Sequence, residues 1–132
     1  MVAARLAAVA GSSSYLLDGF VTYSNKAKQR HLDVPEIYFQ SHGAVSSEVA
    51  LAMARGALKN SDADVAVSVT GIAGPGGGTP EKPVGTVHLA AVRRDSGDSI
   101  EVKMHYQGGR DRVRFQSSQT ALHLLRRLLM KG

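Results

Sequence analysis

The stretch Thr-Gly-Ile-Ala-Gly-Pro-Gly-Gly-Gly-Thr-Pro-Glu-Lys-Pro-Val-Gly-Thr, residues 70–86, decides how the rest of the sequence is interpreted. It lies between two apolar runs, residues 63–69 and 87–92, and each run predicts a buried strand. The glycines therefore follow the end of a strand, where α/β proteins commonly bind ligands. Because glycine lets the backbone approach a ligand and proline stiffens the remainder, the stretch predicts a preformed set of N–H donors for a phosphate or an oxyanion.

Two common nucleotide-binding loops are excluded for this stretch. No Gly-Lys-Ser/Thr follows it, so it is not a Walker A loop, and it lacks a Gly-x-Gly-x-x-Gly that runs directly into a helix. The alternative interpretation is a rigid connection between two strands, without a ligand.

Composition indicates a single globular domain spanning residues 1–132, with 43% hydrophobic residues and one core. The sequence has no apolar run long enough to span a membrane and no signal-peptide pattern, so we expect a soluble, cytoplasmic protein. The absence of cysteine excludes a thiol nucleophile. The five histidines, at positions 31, 42, 88, 105 and 123, show no metal-ligand spacing, and we expect neither a metal nor a cofactor.

The formal net charge of +5 raises nucleic acid as a partner, because basic residues are concentrated between residues 110 and 131. The sequence contains no recognisable DNA- or RNA-binding motif, and a helical arrangement of these residues places them on a solvated face. We therefore do not expect a nucleic-acid partner.

Helical and strand patterns alternate along the chain and predict an α/β fold. Ser46 is a predicted N-cap, Asp111 is a second one, and strict alternation over residues 99–106 predicts a strand with one wet face that forms a hairpin with the strand before it. We expect a mixed β-sheet flanked by helices. The predicted helices cover residues 2–9, 26–32, 35–40, 46–59 and from 111 onward, and the predicted strands cover residues 16–23, 63–69, 84–92 and 99–106.

Several motifs carry a family resemblance. They are Gly11-Ser12-Ser13, residues 21–28, residues 42–46, the signature of residues 69–89 and the C-terminal helix. With these motifs the chain resembles the CinA C-terminal domain family, also known as nicotinamide mononucleotide amidohydrolases, over nearly its whole length. The resemblance implies hydrolysis of nicotinamide mononucleotide to nicotinate mononucleotide and ammonia, with a mononucleotide as the small-molecule partner.

Without cysteine or metal, a serine activated by a nearby base is the simplest route to amide hydrolysis, and Ser13 and Lys28 flank the predicted strand of residues 16–23. The resemblance implies a Ser/Lys mechanism with Ser13 as nucleophile, Lys28 as base and Tyr23 orienting the pair. Ser12 and Ser14 compete for the role of nucleophile. The alternative interpretation is that the serines only form a turn and that the lysine is a solvated surface charge.

The substrate-binding residues that we expect are backbone donors of the stretch, a hydroxyl within it and an arginine ahead of the last helix. They are Gly74, Gly76, Gly77, Gly78, Thr79 and Arg110. The family has Gly-Asp-Arg before its last helix, whereas this chain reads Gly108-Gly109-Arg110, so the aspartate is missing. Arg110 is expected to bind the substrate phosphate as a bidentate donor, with a first-turn surface position as the alternative.

The resemblance also implies a strand and a Glu-Ser-Cys-Thr-Gly-Gly turn ahead of the first helix, and this sequence begins where that segment ends. A catalytically weak nucleotide-binding or regulatory module is therefore the alternative function. Because exposed sheet edges invite pairing, we expect a homodimer.

Overall fold

A computed structural model describes residues 1–8 and 10–130. Two ends of predicted segments, Val9 of the first helix and Lys131 of the basic region, lie outside the described residues. The elements, in chain order, are α1 (Val2–Ala7), a 3₁₀ turn (Ser12–Ser14), α2 (Asn25–Leu32), α3 (Glu36–His42), α4 (Ser47–Lys59), β1 (Val65–Gly71), β2 (Thr86–Arg93), β3 (Ser99–His105) and α5 (Arg110–Met130).

The three strands form one sheet in the order β1-β2-β3, and both pairs are antiparallel. The predicted α/β class is confirmed, and so is the hairpin of β2 and β3, which is closed by Arg93 N–H donating to Asp98 O at 2.9 Å. The sheet in the described residues is antiparallel where the sequence predicted a mixed one, because the chain passes directly from each strand to its neighbour.

Helices cover the sheet on both faces. On one face, Val87, Leu89 and Ala91 of β2 pack against α5. On the other face, Ala90 and Val92 of the same strand pack against α4. Because side chains alternate along a strand, β2 is buried on both faces, which accounts for its continuous apolar run.

The helices α2 and α3 pack against the outer side of α4 and form a third apolar cluster with it. Helix α4 begins as predicted, with the Ser46 hydroxyl accepting from Val49 N–H at 3.2 Å. Its Gly56 lies directly against α2, since a Cβ added there would lie 1.8 Å from the carbonyl oxygen of Leu32. The glycine therefore sets the closest approach between these two helices.

Two predicted features are wrong. Residues 16–23 do not form a strand, and Val21 and Tyr23 in that segment are 82% and 85% exposed. Within residues 1–8 and 10–130 no strand lies beside this segment for it to pair with, so β-propensity alone does not make it a strand. Asp111 is not an N-cap, because α5 begins at Arg110 and the Val113 N–H donates to Gly109 O at 3.1 Å, which places Asp111 inside the first turn.

No helix within residues 1–8 and 10–130 is both long enough and apolar enough to cross a membrane. The longest, α5, carries basic side chains along its length.

Candidate functional site

The Gly/Pro loop, residues 72–85, projects from the sheet between β1 and β2. Its two ends are joined by Ile72 N–H donating to Thr86 O at 2.9 Å and by Gly85 N–H donating to Ile72 O at 2.7 Å. Gly85 has φ +98°, and a Cβ there would lie 2.1 Å from the carbonyl oxygen of Tyr106. Glycine is therefore required at the base of the loop, and the loop leaves the sheet as a closed unit.

The tip of this loop is exposed to solvent. Within the described chain, the backbone N–H groups of Gly76, Gly77 and Gly78 make no hydrogen bond to protein atoms. Thr79 N–H donates to Lys82 O at 2.9 Å, and Lys82 N–H donates to Thr79 Oγ1 at 3.0 Å, so a short reciprocal turn supports the tip. The tip presents consecutive donors to solvent, an arrangement suited to an anion.

Arg110 contacts the same loop, from the first residue of α5. Its Nη1 donates to Gly74 O at 3.1 Å. Arg110 is itself exposed, and its guanidinium has five donors, so the remaining donors stay available to a ligand. The structure thus brings together two of the predicted binding residues that lie 36 positions apart.

Lys28 is buried in α2, with only 8% of its surface exposed. Its ammonium donates to Thr22 O at 3.0 Å, and no carboxylate of residues 1–8 or 10–130 lies within ion-pair distance of it. Burial lowers the pKa of Lys28 from its ordinary value of 10.5. A lysine of this kind is easier to deprotonate than a surface lysine, which is the property required of an amine base.

The three candidate serines lie on the 3₁₀ turn, which packs against α1, whereas α2 packs against α4. The Ser12 hydroxyl donates to Ala7 O at 3.4 Å and the Ser14 hydroxyl donates to Gly11 O at 2.9 Å. Ser13 is exposed, and its hydroxyl has no hydrogen-bond partner in the part of the chain that the structure describes. None of the three donates to Lys28 or accepts from it there, and the Tyr23 ring is exposed as well.

His88 was not among the predicted site residues. It is buried, with 9% of its surface exposed, and among the described residues its Nδ1 is the buried side-chain nitrogen or oxygen that has no hydrogen-bond partner. Burial lowers the pKa of His88, and the cations Lys103 and Lys82 lower it further, against an opposing effect of Glu48. The alternation of side chains along β2 places His88 on the face that packs against α4, and this alternation was the only feature of the sequence that could have indicated its burial. No group of three His, Asp or Glu side chains in the described ranges is arranged to hold a metal ion.

We expect acid to destabilise the fold through His88. The unfolded chain has the higher histidine pKa and therefore binds more protons, so the free energy of unfolding falls as pH drops below about 6.5, by at most about 1.4 kcal/mol per pH unit. Urea unfolding from about pH 7.5 to about pH 5.5 should show a steeper loss for the wild type than for His88→Leu. Equal slopes for the two proteins would contradict the assignment, and His123→Leu, at an exposed position, serves as control.

Comparison with known proteins finds a family whose model matches almost the whole chain. The model of the CinA C-terminal domain matches residues 1–129. A CinA-like protein of Citrifermentans bemidjiense is 59% identical over 130 residues, and one of Mycolicibacterium vanbaalenii is 52% identical over 132 residues. These alignments cover 98% and 100% of this chain but 31% of each relative, so the chain spans about a third of the length of the curated relatives that it matches.

Solved structures of other proteins have folds similar to that of this chain. The competence/damage inducible protein CihA from Agrobacterium tumefaciens has a TM-score of 0.94 and 48% identity, over 96% of this chain and 77% of that one. A competence-damaged protein (CinA) superfamily protein from Escherichia coli has a TM-score of 0.90 and 35% identity, over 96% of this chain and 73% of that one.

Proposed function

The chain belongs to the CinA C-terminal domain family, and from that membership and the geometry of Lys28 we propose that it is an amidohydrolase domain. The proposed reaction is the hydrolysis of nicotinamide mononucleotide to nicotinate mononucleotide and ammonia. The observation that carries the proposal is a buried lysine with a lowered pKa and no carboxylate partner in the described chain. Such groups concentrate at functional sites, because a structural role does not require an unpaired buried cation.

In the proposed mechanism, the neutral amine of Lys28 takes the proton of a serine hydroxyl as the oxygen attacks the carboxamide carbon. The tetrahedral oxyanion accepts hydrogen bonds from backbone N–H groups. The C–N bond then breaks, ammonia leaves with the proton that Lys28 held, and water hydrolyses the resulting ester to release the acid and regenerate the hydroxyl.

Ser13 is the proposed nucleophile, since the Ser12 hydroxyl donates to Ala7 O at the end of α1 and the Ser14 hydroxyl donates to Gly11 O. Forming the dyad requires the segment between the 3₁₀ turn and α2 to close over Lys28 when substrate binds. That segment has no regular secondary structure and exposes Val21 and Tyr23. It is held by Phe20, which packs against the cluster of α2 and α4, and by the bond from Lys28 to Thr22 O, so the movement must rearrange these two contacts. Catalytic hydrogen bonds commonly tighten only in the substrate complex.

The phosphate of the mononucleotide is proposed to bind at the tip of the Gly/Pro loop. The exposed N–H groups of Gly76, Gly77 and Gly78, with the Thr79 hydroxyl beside them, supply directional donors. Arg110 supplies the charge, and it is already held at this loop by its bond to Gly74 O.

We expect Arg110→Met to raise the KM for nicotinamide mononucleotide about tenfold or more, because a hydrogen bond to a charged group contributes about 1.5–3 kcal/mol. The turnover number should change little, since the phosphate is bound equally in the ground state and the transition state. Steady-state kinetics measure both constants. The neighbouring exposed residue Arg112 gives the control Arg112→Met, and an equal rise in KM for the two variants would mean that only net charge matters.

A second function, a nucleotide-binding or regulatory module without turnover, is favoured by one specific observation. In the described chain no serine of the 3₁₀ turn is hydrogen-bonded to Lys28. The same phosphate-binding loop would serve such a module.

The test is to mix the purified chain with nicotinamide mononucleotide and to measure ammonia release beside binding by calorimetry. Turnover supports the amidohydrolase. Binding without ammonia supports the module, and neither binding nor turnover would remove this nucleotide from both proposals. Nicotinamide riboside, which lacks only the phosphate, is the matched control ligand.

A further inference from the structure

The Gly/Pro loop makes a second contact, on the side away from Arg110, with the turn of residues 42–46 that joins α3 to α4. The ammonium of Lys82 donates to the carbonyl oxygen of His42. This contact joins residues 40 positions apart, and Lys82 is partly buried by it. The loop is therefore held at both flanks, by α5 on one side and by the α3–α4 turn on the other.

The α3–α4 turn is itself fixed by side-chain donors. Its three consecutive carbonyls each accept one: His42 O from Lys82, Gly43 O from the Ser46 hydroxyl at 2.9 Å, and Ala44 O from the Thr70 hydroxyl at 2.8 Å. Ser46 caps α4 and Thr70 is the penultimate residue of β1, so the turn is anchored to both of these elements. Lys82 attaches the loop to a rigid support.

Space around this contact is limited. A Cβ built on Gly43 would lie 3.3 Å from Lys82 Nζ, and Gly43 has φ +77°, so a glycine at this position both admits the lysine and permits the turn. The turn formed by Thr79 and Lys82 fixes the backbone from which the lysine extends. The Lys82 side chain thus connects the base of the phosphate-binding tip to the turn.

We propose that Lys82 is a positioning residue that latches the Gly/Pro loop onto the α3–α4 turn and thereby sets the affinity of the loop for the phosphate of its ligand. This inference rests on the proposed function for the identity of the ligand. The latch itself is a property of the chain without ligand. A loop held in its binding geometry loses less conformational entropy when the ligand arrives, so its release weakens binding rather than chemistry.

Electrostatics provide a way to separate a latch from a simple charge effect. His88 faces Lys103 of β3, Lys82 of the loop and Glu48 of α4. Both lysines lower the histidine pKa, but only Lys82 bonds the α3–α4 turn in the structure. Lys103→Met and Lys82→Met therefore each remove one positive charge that acts on His88, while only Lys82→Met releases the loop from the turn.

The experiment compares the wild type with Lys82→Met, Lys82→Arg and Lys103→Met by hydrogen–deuterium exchange of the ligand-free chain. We expect about tenfold faster exchange in Lys82→Met at the hydrogen-bonded amides of Thr79 and Lys82 in the loop and of Gly43 in the turn, and wild-type exchange of these amides in Lys103→Met. Lys82→Arg, which keeps a donor, should lie between the two. An NMR titration should show a raised His88 pKa in both methionine variants, which verifies that each charge has been removed.

Affinity is measured in the same variants with nicotinamide mononucleotide and with inorganic phosphate as probes. The Kd for either probe should rise about tenfold in Lys82→Met and stay near the wild-type value in Lys103→Met. Unchanged exchange in Lys82→Met, or an equal loss of affinity in Lys103→Met, would overturn the latch. If the wild type releases no ammonia, the amidohydrolase proposal fails, while exchange and phosphate affinity still decide the latch.

Discussion

Replacing Lys28 by methionine is expected to reduce ammonia release from nicotinamide mononucleotide by about 10²–10⁴-fold, the contribution of a positioned general base. Methionine keeps most of the apolar stem and removes only the amine, so the packing of α2 should survive. The measurement is kcat by ammonia release, with far-ultraviolet circular dichroism to verify folding. Lys26→Met is the matched control, because Lys26 lies on the same helix and is exposed.

Ser13→Ala should reduce turnover to a similar extent, while Ser12→Ala and Ser14→Ala should each retain most of it, because those hydroxyls already donate to backbone carbonyls of Ala7 and Gly11. Wild-type turnover in Ser13→Ala would remove Ser13 from the mechanism, and wild-type turnover in Lys28→Met would do the same for the lysine.

The pH dependence of kcat/KM tests the base independently. Burial lowers the Lys28 pKa below 10.5, and the base acts only when neutral, so the rate should rise with pH through the lowered pKa and then level off. The profile is recorded from about pH 6 to about pH 10, on the acid side of the ordinary lysine pKa. Residual activity in Lys28→Met should lack it, and a wild-type rate that falls with rising pH over this range would contradict a lysine base.

Adding one methyl group at Gly56 is expected to lower the free energy of unfolding by about 1–3 kcal/mol in Gly56→Ala, and by more in Gly56→Val. Helix propensity alone predicts the opposite sign, since alanine stabilises a helix interior by about 1 kcal/mol relative to glycine. The steric term should win because the added Cβ would lie 1.8 Å from a backbone carbonyl oxygen of Leu32. Backbone at this position cannot rotate away as a side chain would.

The helices also cannot slide apart freely at this junction. Asn60, just after α4, donates to His31 O and to Asp33 Oδ2, both at 3.1 Å, and so ties the end of α2 to the end of α4. Urea unfolding of Gly56→Ala measures the loss. Gly109→Ala is the control, because a Cβ there meets nothing within 4 Å, and a change within about 0.5 kcal/mol is expected. Equal stabilities for the two variants would show that α2 relaxes at little cost.

Local patterns predicted much of this fold because the determinants were local. Ser46 lies three residues before the N–H that it caps, and the hairpin of β2 and β3 is set by a short turn with Gly97. The segment of residues 16–23 was mispredicted because strand formation depends on a partner strand, which propensity cannot supply.

The candidate site divides in the same way. The glycines and prolines of residues 70–86 predicted the backbone donors of the Gly/Pro loop, and the family motifs predicted Arg110 as a second binding residue. The structure brings Arg110 into contact with Gly74 of this loop. The contact of Lys82 with His42 and the burial of His88 were not predictable, because they depend on how distant segments pack. The roles of Ser13 and Lys28 remain predictions, since each residue occupies its own part of the fold.

The backbone bonds between Ile72, Gly85 and Thr86 seal the Gly/Pro loop at its root before it leaves the sheet. A unit closed in this way can be lengthened, shortened or exchanged with little effect on strand register, because loop-closure entropy grows only slowly with length. Changes of length within this insert are therefore expected to alter the loop while the pairing of β1 with β2 is kept.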